Sequence, residues 1–157
     1  MLVSPPPKGE NSIIPYLLVR NAREAIAFYE RAFDANVVLV LESPDNNIAH
    51  AEMRVQGANV MLAEELPAAG SMSPLALGGS SVSLLVYVEN VDGIFDRVLS
   101  EGAEMVSPVS DQFYGDRAGT LKDPYGHVWT IASRIEELSA NEIRQRAKTF
   151  FDEDKTD

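Results

Sequence analysis

The chain has 157 residues, of which 45% are hydrophobic and 24% charged, and its formal net charge is −11. That length allows one compact domain with a sizeable core. The scarcity of clustered Lys and Arg argues against a phosphate-backbone partner, so no nucleic acid is expected.

No apolar run approaches the roughly 20 residues that span a bilayer, so no membrane partner is expected either. Residues 1–10 lack the apolar core of a signal peptide. Without cysteine there is neither a disulfide framework nor thiolate metal ligation, which fits a cytoplasmic location. The acidic balance either attracts a cationic small molecule or merely keeps the protein soluble.

In chain order, residues 1–12, with Pro5, Pro6 and Pro7, read as a mobile leader. A strand over 13–19 follows, and Pro15 places it at a sheet edge or at its own beginning. Asn21 with Glu24 forms a capping-box pattern. Ile26, Tyr29 and Phe33 then recur at helical spacing, with Ala22 and Ala25 alongside. Residues 37–41 form a second strand. Residues 50–55 and 58–63 form a hairpin around Gln56-Gly57. A two-residue turn there puts Glu52 opposite Met61 and His50 opposite Ala63. One face then collects His50, Glu52, Arg54, Asn59, Met61 and Ala63.

Residues 65–80 are rich in Gly, Pro, Ser and Ala and read as a linker. The order then repeats: a strand over 81–88, an Asn90-capped helix carrying Ile94, Phe95, Val98 and Leu99, a strand over 103–109, and a last hairpin. Val19 and Val88, Asn21 and Asn90, and Ile26 and Phe95 are each 69 positions apart, which predicts a duplicated unit at one fixed offset. The last hairpin turns at Asp123-Pro124-Tyr125-Gly126. A four-residue turn pairs Lys122 with His127 and places Arg117, Gly119, Leu121, Val128, Thr130 and Ala132 on one face. Arg117 then either lines a ligand site or sits at a rim, paired with Asp116 or another acid. Phe113 and Tyr114 stand at that hairpin's mouth, where they would cover a ligand, and Trp129 points to the helices. Ser139 to Glu142 is a second capping-box pattern, opening a C-terminal helix and acidic tail over 136–157.

Two βαβββ modules, with Asp123-Pro124-Tyr125-Gly126-His127-Val128-Trp129 in the final hairpin, resemble the vicinal oxygen chelate superfamily of glyoxalases, bleomycin-resistance proteins and dioxygenases. Ile14-Pro15-Tyr16-Leu17, His50-Ala51-Glu52 and Tyr114-Gly115-Asp116-Arg117 look like its PhnB-like branch. The resemblance implies an α+β fold over 13–135, with modules 13–64 and 81–134 whose sheets pair edge to edge around a cleft. It also implies pairing into a homodimer. Family metal ligands come from the cavity face of the first and fourth strands of each module. Those places hold Ile14, Met61, Ser83 and Thr130, which offer a hard cation almost nothing. No metal and no cofactor is therefore expected.

Strand parity adds Tyr16, Leu18, Leu85 and Tyr87 to the hairpin faces, giving an apolar and aromatic bowl. The expected ligand contacts are Tyr16, His50, Glu52, Asn59, Met61, Leu85, Tyr87, Phe113, Tyr114, Arg117 and Thr130. The leading expectation is a metal-free binding protein that sequesters a hydrophobic or aromatic small molecule, such as an antibiotic. The alternatives are an enzyme, with His50 as general base, Glu52 orienting it and Arg117 stabilising an anion, or a dimeric assembly module. His50 and Glu52 as a simple strand pair, and Tyr16 and Tyr87 as core filling, stand beside these readings.

Overall fold

The computed structural model describes residues 11–153. The leader expected over 1–12 lies mostly outside them, as do residues 154–157 of the tail. The first module comprises β1 (Tyr16–Val19), α1 (Ala22–Phe33), β2 (Asn36–Glu42), β3 (Ile48–Val55) and β4 (Ala58–Glu64). The second comprises β5 (Ser83–Tyr87), α3 (Val91–Ser100), β6 (Glu104–Asp111), β7 (Asp116–Lys122) and β8 (Val128–Arg134). Each forms a four-stranded mixed sheet, ordered β1-β4-β3-β2 and β5-β8-β7-β6. The expected α+β fold of two βαβββ modules with a C-terminal helix is thus observed.

The helices form where their apolar positions recur and where their first N–H groups find partners. Asn21 and Asn90 each accept from the N–H three residues on. The last strand of each module supplies a second cap. The Glu64 carboxylate accepts from Asn21 and Ala22 N–H at 2.8 and 2.6 Å. At the matching place Ser133 accepts from Val91 N–H at 3.2 Å. Helix α1 buries Ala22, Ala25, Ile26, Phe28, Tyr29, Ala32 and Phe33. Tyr29 and Phe33 reach Trp129 of the second module, with ring centroids 5.8 and 4.8 Å apart. The two modules therefore share one core, and Trp129 points to the helices.

Residues 65–80 hold more structure than a linker. They contain a 3-10 turn (Pro67–Ala69) and a short helix, α2 (Pro74–Leu77). Glu65 anchors them, accepting from Arg20 Nε at 2.7 Å and from Ser73 N–H at 2.9 Å. After β8 the chain crosses back over Gly115, whose carbonyl accepts from Ile135 and Glu136 N–H at 3.0 Å. It then enters α4 (Ala140–Glu153), where Ser139 and Glu142 make the expected reciprocal capping box.

The first hairpin has the expected register: Val55 opposes Ala58 and Glu52 opposes Met61. The second does not. Lys122 pairs with Val128 rather than His127, Thr120 faces Thr130, and Arg117 faces Ser133. The turn holds one residue more, because Asp123 N–H bonds to His127 O at 2.9 Å around Pro124, Tyr125 and Gly126. Gly126 takes the left-handed position of this loop, at φ 88°, which glycine adopts without steric cost. The duplication is accordingly not at one offset. Tyr16 with Met61 matches Leu85 with Thr130 at 69 positions, whereas Glu52 matches Thr120 at 68.

Candidate functional site

Alternation along the strands divides each sheet into a helix-facing side and an open side. On the first sheet, Leu39, Glu52, Met61 and Tyr16 oppose one another in a row across the open side. On the second, the matching row is Ser107, Thr120, Thr130 and Leu85. Tyr16, Leu85 and Tyr87 are 49, 55 and 48% exposed, so both open faces present large apolar surfaces. Each lines its own cavity. Tyr16, Leu18 and Ala63 border one of about 410 Å³, which Ser43, Asp45 and Asn47 also line. Tyr114, Ala118, Thr120 and Thr130 border another of about 300 Å³, with Ser110 and Gln112.

His50 and Glu52 stand two residues apart on β3, hence side by side on the open face. His50 Nε2 lies 3.1 Å from Glu52 Oε1. Its other ring nitrogen, Nδ1, lies 2.8 Å from Tyr16 Oη. A carboxylate only accepts, so Nε2 carries the hydrogen in the neutral ring and Nδ1 accepts from Tyr16. Asn59 and Arg54 oppose each other on the same side of that sheet.

The second sheet carries a polar group that strand reasoning missed. Asp116 is 2% exposed. Its carboxylate accepts from Tyr87 Oη at 2.7 Å and pairs with the Arg134 guanidinium. Arg134 Nη2 also donates to Tyr87 Oη at 3.2 Å. The Tyr87 hydroxyl is therefore fixed in a built cluster, while its ring stays half-exposed. Burial, aided by Asp116 and Tyr87, raises the Tyr114 hydroxyl above the usual tyrosine range. A five-residue loop at 123–127 was the signal that would have brought Asp116, Ala118 and Thr120 to this face.

Arg117 is corrected outright. The register turns it to the helix side, where Nε and Nη2 bond the Asp92 carboxylate at 2.9 and 2.7 Å. Nη1 bonds Asp111 at 2.9 Å. The pairing acids are these two, and Asp116 goes to Arg134. The missing Cβ of Gly119 makes room for Phe95 and Val109. Phe113 packs on Phe150 and Phe151 of α4, at 5.1 and 6.0 Å between centroids. Arg146 ties that helix to Glu136 and to the Phe113 carbonyl. Tyr114 stays at the cavity wall.

The donor chemistry does not fit a divalent metal. Met61 and Thr130 sit mid-row, and the Thr130 hydroxyl is 3.0 Å from that of Thr120. Among the described residues, no three His, Cys, Asp or Glu side chains converge. A catalytic cation needs about three such donors.

A family model for the Glyoxalase/Bleomycin resistance protein/Dioxygenase superfamily matches residues 12–131. The chain belongs to that superfamily. Relatives include the uncharacterized protein Mb0911c of Mycobacterium bovis, 38% identical over 138 residues, which span 86% of this chain and 91% of that protein. Protein YjdN of Escherichia coli is 25% identical over 139 residues, spanning 74% and 91%. Among solved structures, TioX from Micromonospora sp. ML1 aligns with a TM-score of 0.62 at 24% identity, over 82% of this chain and all of that one, 100%. The PhnB protein from Bacillus cereus aligns with a TM-score of 0.61 at 22% identity, over 78% and 99%. The fosfomycin resistance protein FosX from Listeria monocytogenes, crystallised with Mn(II) and sulfate, aligns at 0.62 and 16% identity, over 86% and 95%. These structural likenesses establish the fold; activity rests on the site. Helix α4 lies beyond the region the family model matches.

Proposed function

We propose that this superfamily member is a metal-free small-molecule binding protein that sequesters a hydrophobic or aromatic guest on its open sheet faces. The observation that carries this reading is the occupancy of the family's donor places by Ile14, Met61, Ser83 and Thr130, beside the half-exposed Tyr16, Leu85 and Tyr87. Concave sites for organic guests are built in this way, from apolar and aromatic walls with a few convergent polar groups. The enzyme reading that relied on Arg117 as an anion stabiliser loses that residue to Asp92 and Asp111.

A second copy of the chain completes the cleft in this reading. Leu39 and Leu41 of edge strand β2 are exposed beside His50 and Glu52, and exposed apolar side chains on a sheet edge are commonly covered by a partner. Native mass spectrometry and calorimetry against a panel of aromatic natural products test the proposal. One guest per site, recovered unaltered from a dimer without bound divalent metal, is expected. Chemical turnover of the guest, or one equivalent of tightly held zinc, manganese or iron per chain, overturns it.

A further inference from the structure

The open face of the first sheet contains a feature that simple sequestration does not use. His50 has no ring nitrogen to offer a guest, since Glu52 takes Nε2 at 3.1 Å and Tyr16 takes Nδ1 at 2.8 Å. A histidine acting directly as general base needs one nitrogen open to its substrate. The end of this chain of hydrogen bonds is instead Tyr16 Oη. Tyr16 lies on edge strand β1, 49% exposed, and borders both the 410 Å³ cavity and a 400 Å³ groove toward α2. His50 and Glu52 side chains are 22 and 31% exposed, so the relay runs from a part-buried pair to a more open hydroxyl.

We infer that Glu52, His50 and Tyr16 form a proton relay, and that the guest of this face is an aromatic molecule bearing an acidic hydroxyl, a phenol or an enol. The inference rests on the small-molecule binding reading and names the class of guest. The step balances within the four groups. The guest O–H breaks, leaving its electron pair on the guest oxygen, and its proton joins Tyr16 Oη. The proton already on Tyr16 passes to His50 Nδ1. The products are a guest anion and an imidazolium held by the Glu52 carboxylate, with Tyr16 neutral throughout. Both hydrogen bonds survive the transfer, the one at Nδ1 with donor and acceptor exchanged, so no atom of the relay has to move far.

The net charge of −11 repels a preformed phenolate. A guest that arrives as the neutral phenol avoids that cost and ionises only where the imidazolium forms beside it. Arg54, two residues beyond Glu52 on the same strand, is the other cation-bearing residue of this face.

The probe is 4-nitrophenol, whose phenolate absorbs visibly, combined with nitrogen-15 NMR of the imidazoles. The chain has only two histidines, and His127, whose Nε2 lies 3.1 Å from the Leu18 carbonyl, serves as the internal reference. The free protein is expected to show His50 with Nε2 protonated and Nδ1 bare. Addition of 4-nitrophenol is expected to protonate Nδ1 and to lower the half-ionisation pH of the bound probe by about one unit, as an adjacent opposite charge does. Tyr16→Phe and His50→Gln are each expected to abolish the shift. A bare Nε2 in the free protein overturns the relay. So does a probe that binds as the neutral phenol with His50 unchanged, although sequestration survives that result. Failure of 4-nitrophenol to bind at millimolar concentration overturns the guest class, and failure of the whole aromatic panel overturns the binding reading beneath it.

Discussion

Tyr29, in the helix of the first module, donates a 2.6 Å hydrogen bond to the carboxylate of Asp123, in the last hairpin of the second. The same oxygen accepts from Trp129 Nε1 at 2.9 Å. The other accepts from the N–H groups of Tyr125 and His127, each at 2.9 Å. Four donors thus converge on one buried carboxylate, which closes its own turn and joins the modules. Asp123→Asn turns an NH₂ toward one pair of those donors and is expected to cost about 3–5 kcal/mol, the scale of breaking a buried charged network. Tyr29→Phe leaves the turn intact and is expected to cost about 1–3 kcal/mol. Urea denaturation reads both as a lower midpoint at unchanged slope. An Asp123→Asn midpoint equal to wild type would refute the hub.

The same region sets an alkaline limit. Burial first, then Asp123, holds the Tyr29 hydroxyl well above the usual tyrosine range. Burial, with Glu24 and Asp123, pushes Tyr125 from 10.0 up to about 12. The folded state therefore binds these protons more tightly than the unfolded chain does. The Tyr125 contribution is complete below about pH 10 and is lost as pH rises through 12, and that of Tyr29 falls in the same direction. On the acid side, hydrogen bonds from Ser73 and then Arg20 lower Glu65 from 4.5 to about 2. Its contribution is present above pH 4.5 and is lost as pH falls toward 2. Stability that stays level from pH 9 to 12 in chemical denaturation would contradict the alkaline half of this expectation.

Gly119 is fixed by space rather than by backbone angle. A Cβ there would stand 2.7 Å from Phe95 Cε2 and 3.0 Å from the Val109 backbone nitrogen. Because a main-chain atom cannot swing aside, Gly119→Ala is expected to lose about 1–3 kcal/mol. Thermal unfolding checks this, and a melting temperature at or above wild type would show that α3 and β6 can both shift away.

Arg117 provides the opposite control. Its acids are exposed, so Arg117→Gln is expected to cost no more than about 1 kcal/mol. Guest affinity should stay within about twofold of wild type, because the side chain faces α3 and not the open face. A tenfold loss of affinity in calorimetry, with stability retained, would return Arg117 to the site.

The caps of the two modules can be compared directly. Glu64→Ala removes the acceptor of Asn21 and Ala22 N–H, and Ser133→Ala that of Val91 N–H. Each is expected to cost about 0.5–2 kcal/mol, as lost N-terminal caps do. Equal stability of both variants and the wild type in urea would show that the neighbouring Asn21 and Asn90 suffice.

The duplicated βαβββ order, both asparagine caps and the register of the first hairpin were all legible in the amino-acid order. Each depends on local rules: alternation, helical spacing and a two-residue turn. The side on which Arg117 lies was not legible. One additional residue in the Asp123–His127 turn inverts the parity of β7 against β8, and sequence pattern does not distinguish a four-residue from a five-residue loop when both contain Asp, Pro and Gly. The meeting of Tyr16 with His50, 34 positions away, and of Tyr29 with Asp123, 94 positions away, belongs to tertiary structure alone. Such pairs depend on which strand lies beside which and on how one module's helix seats on the other, and local periodicity carries neither.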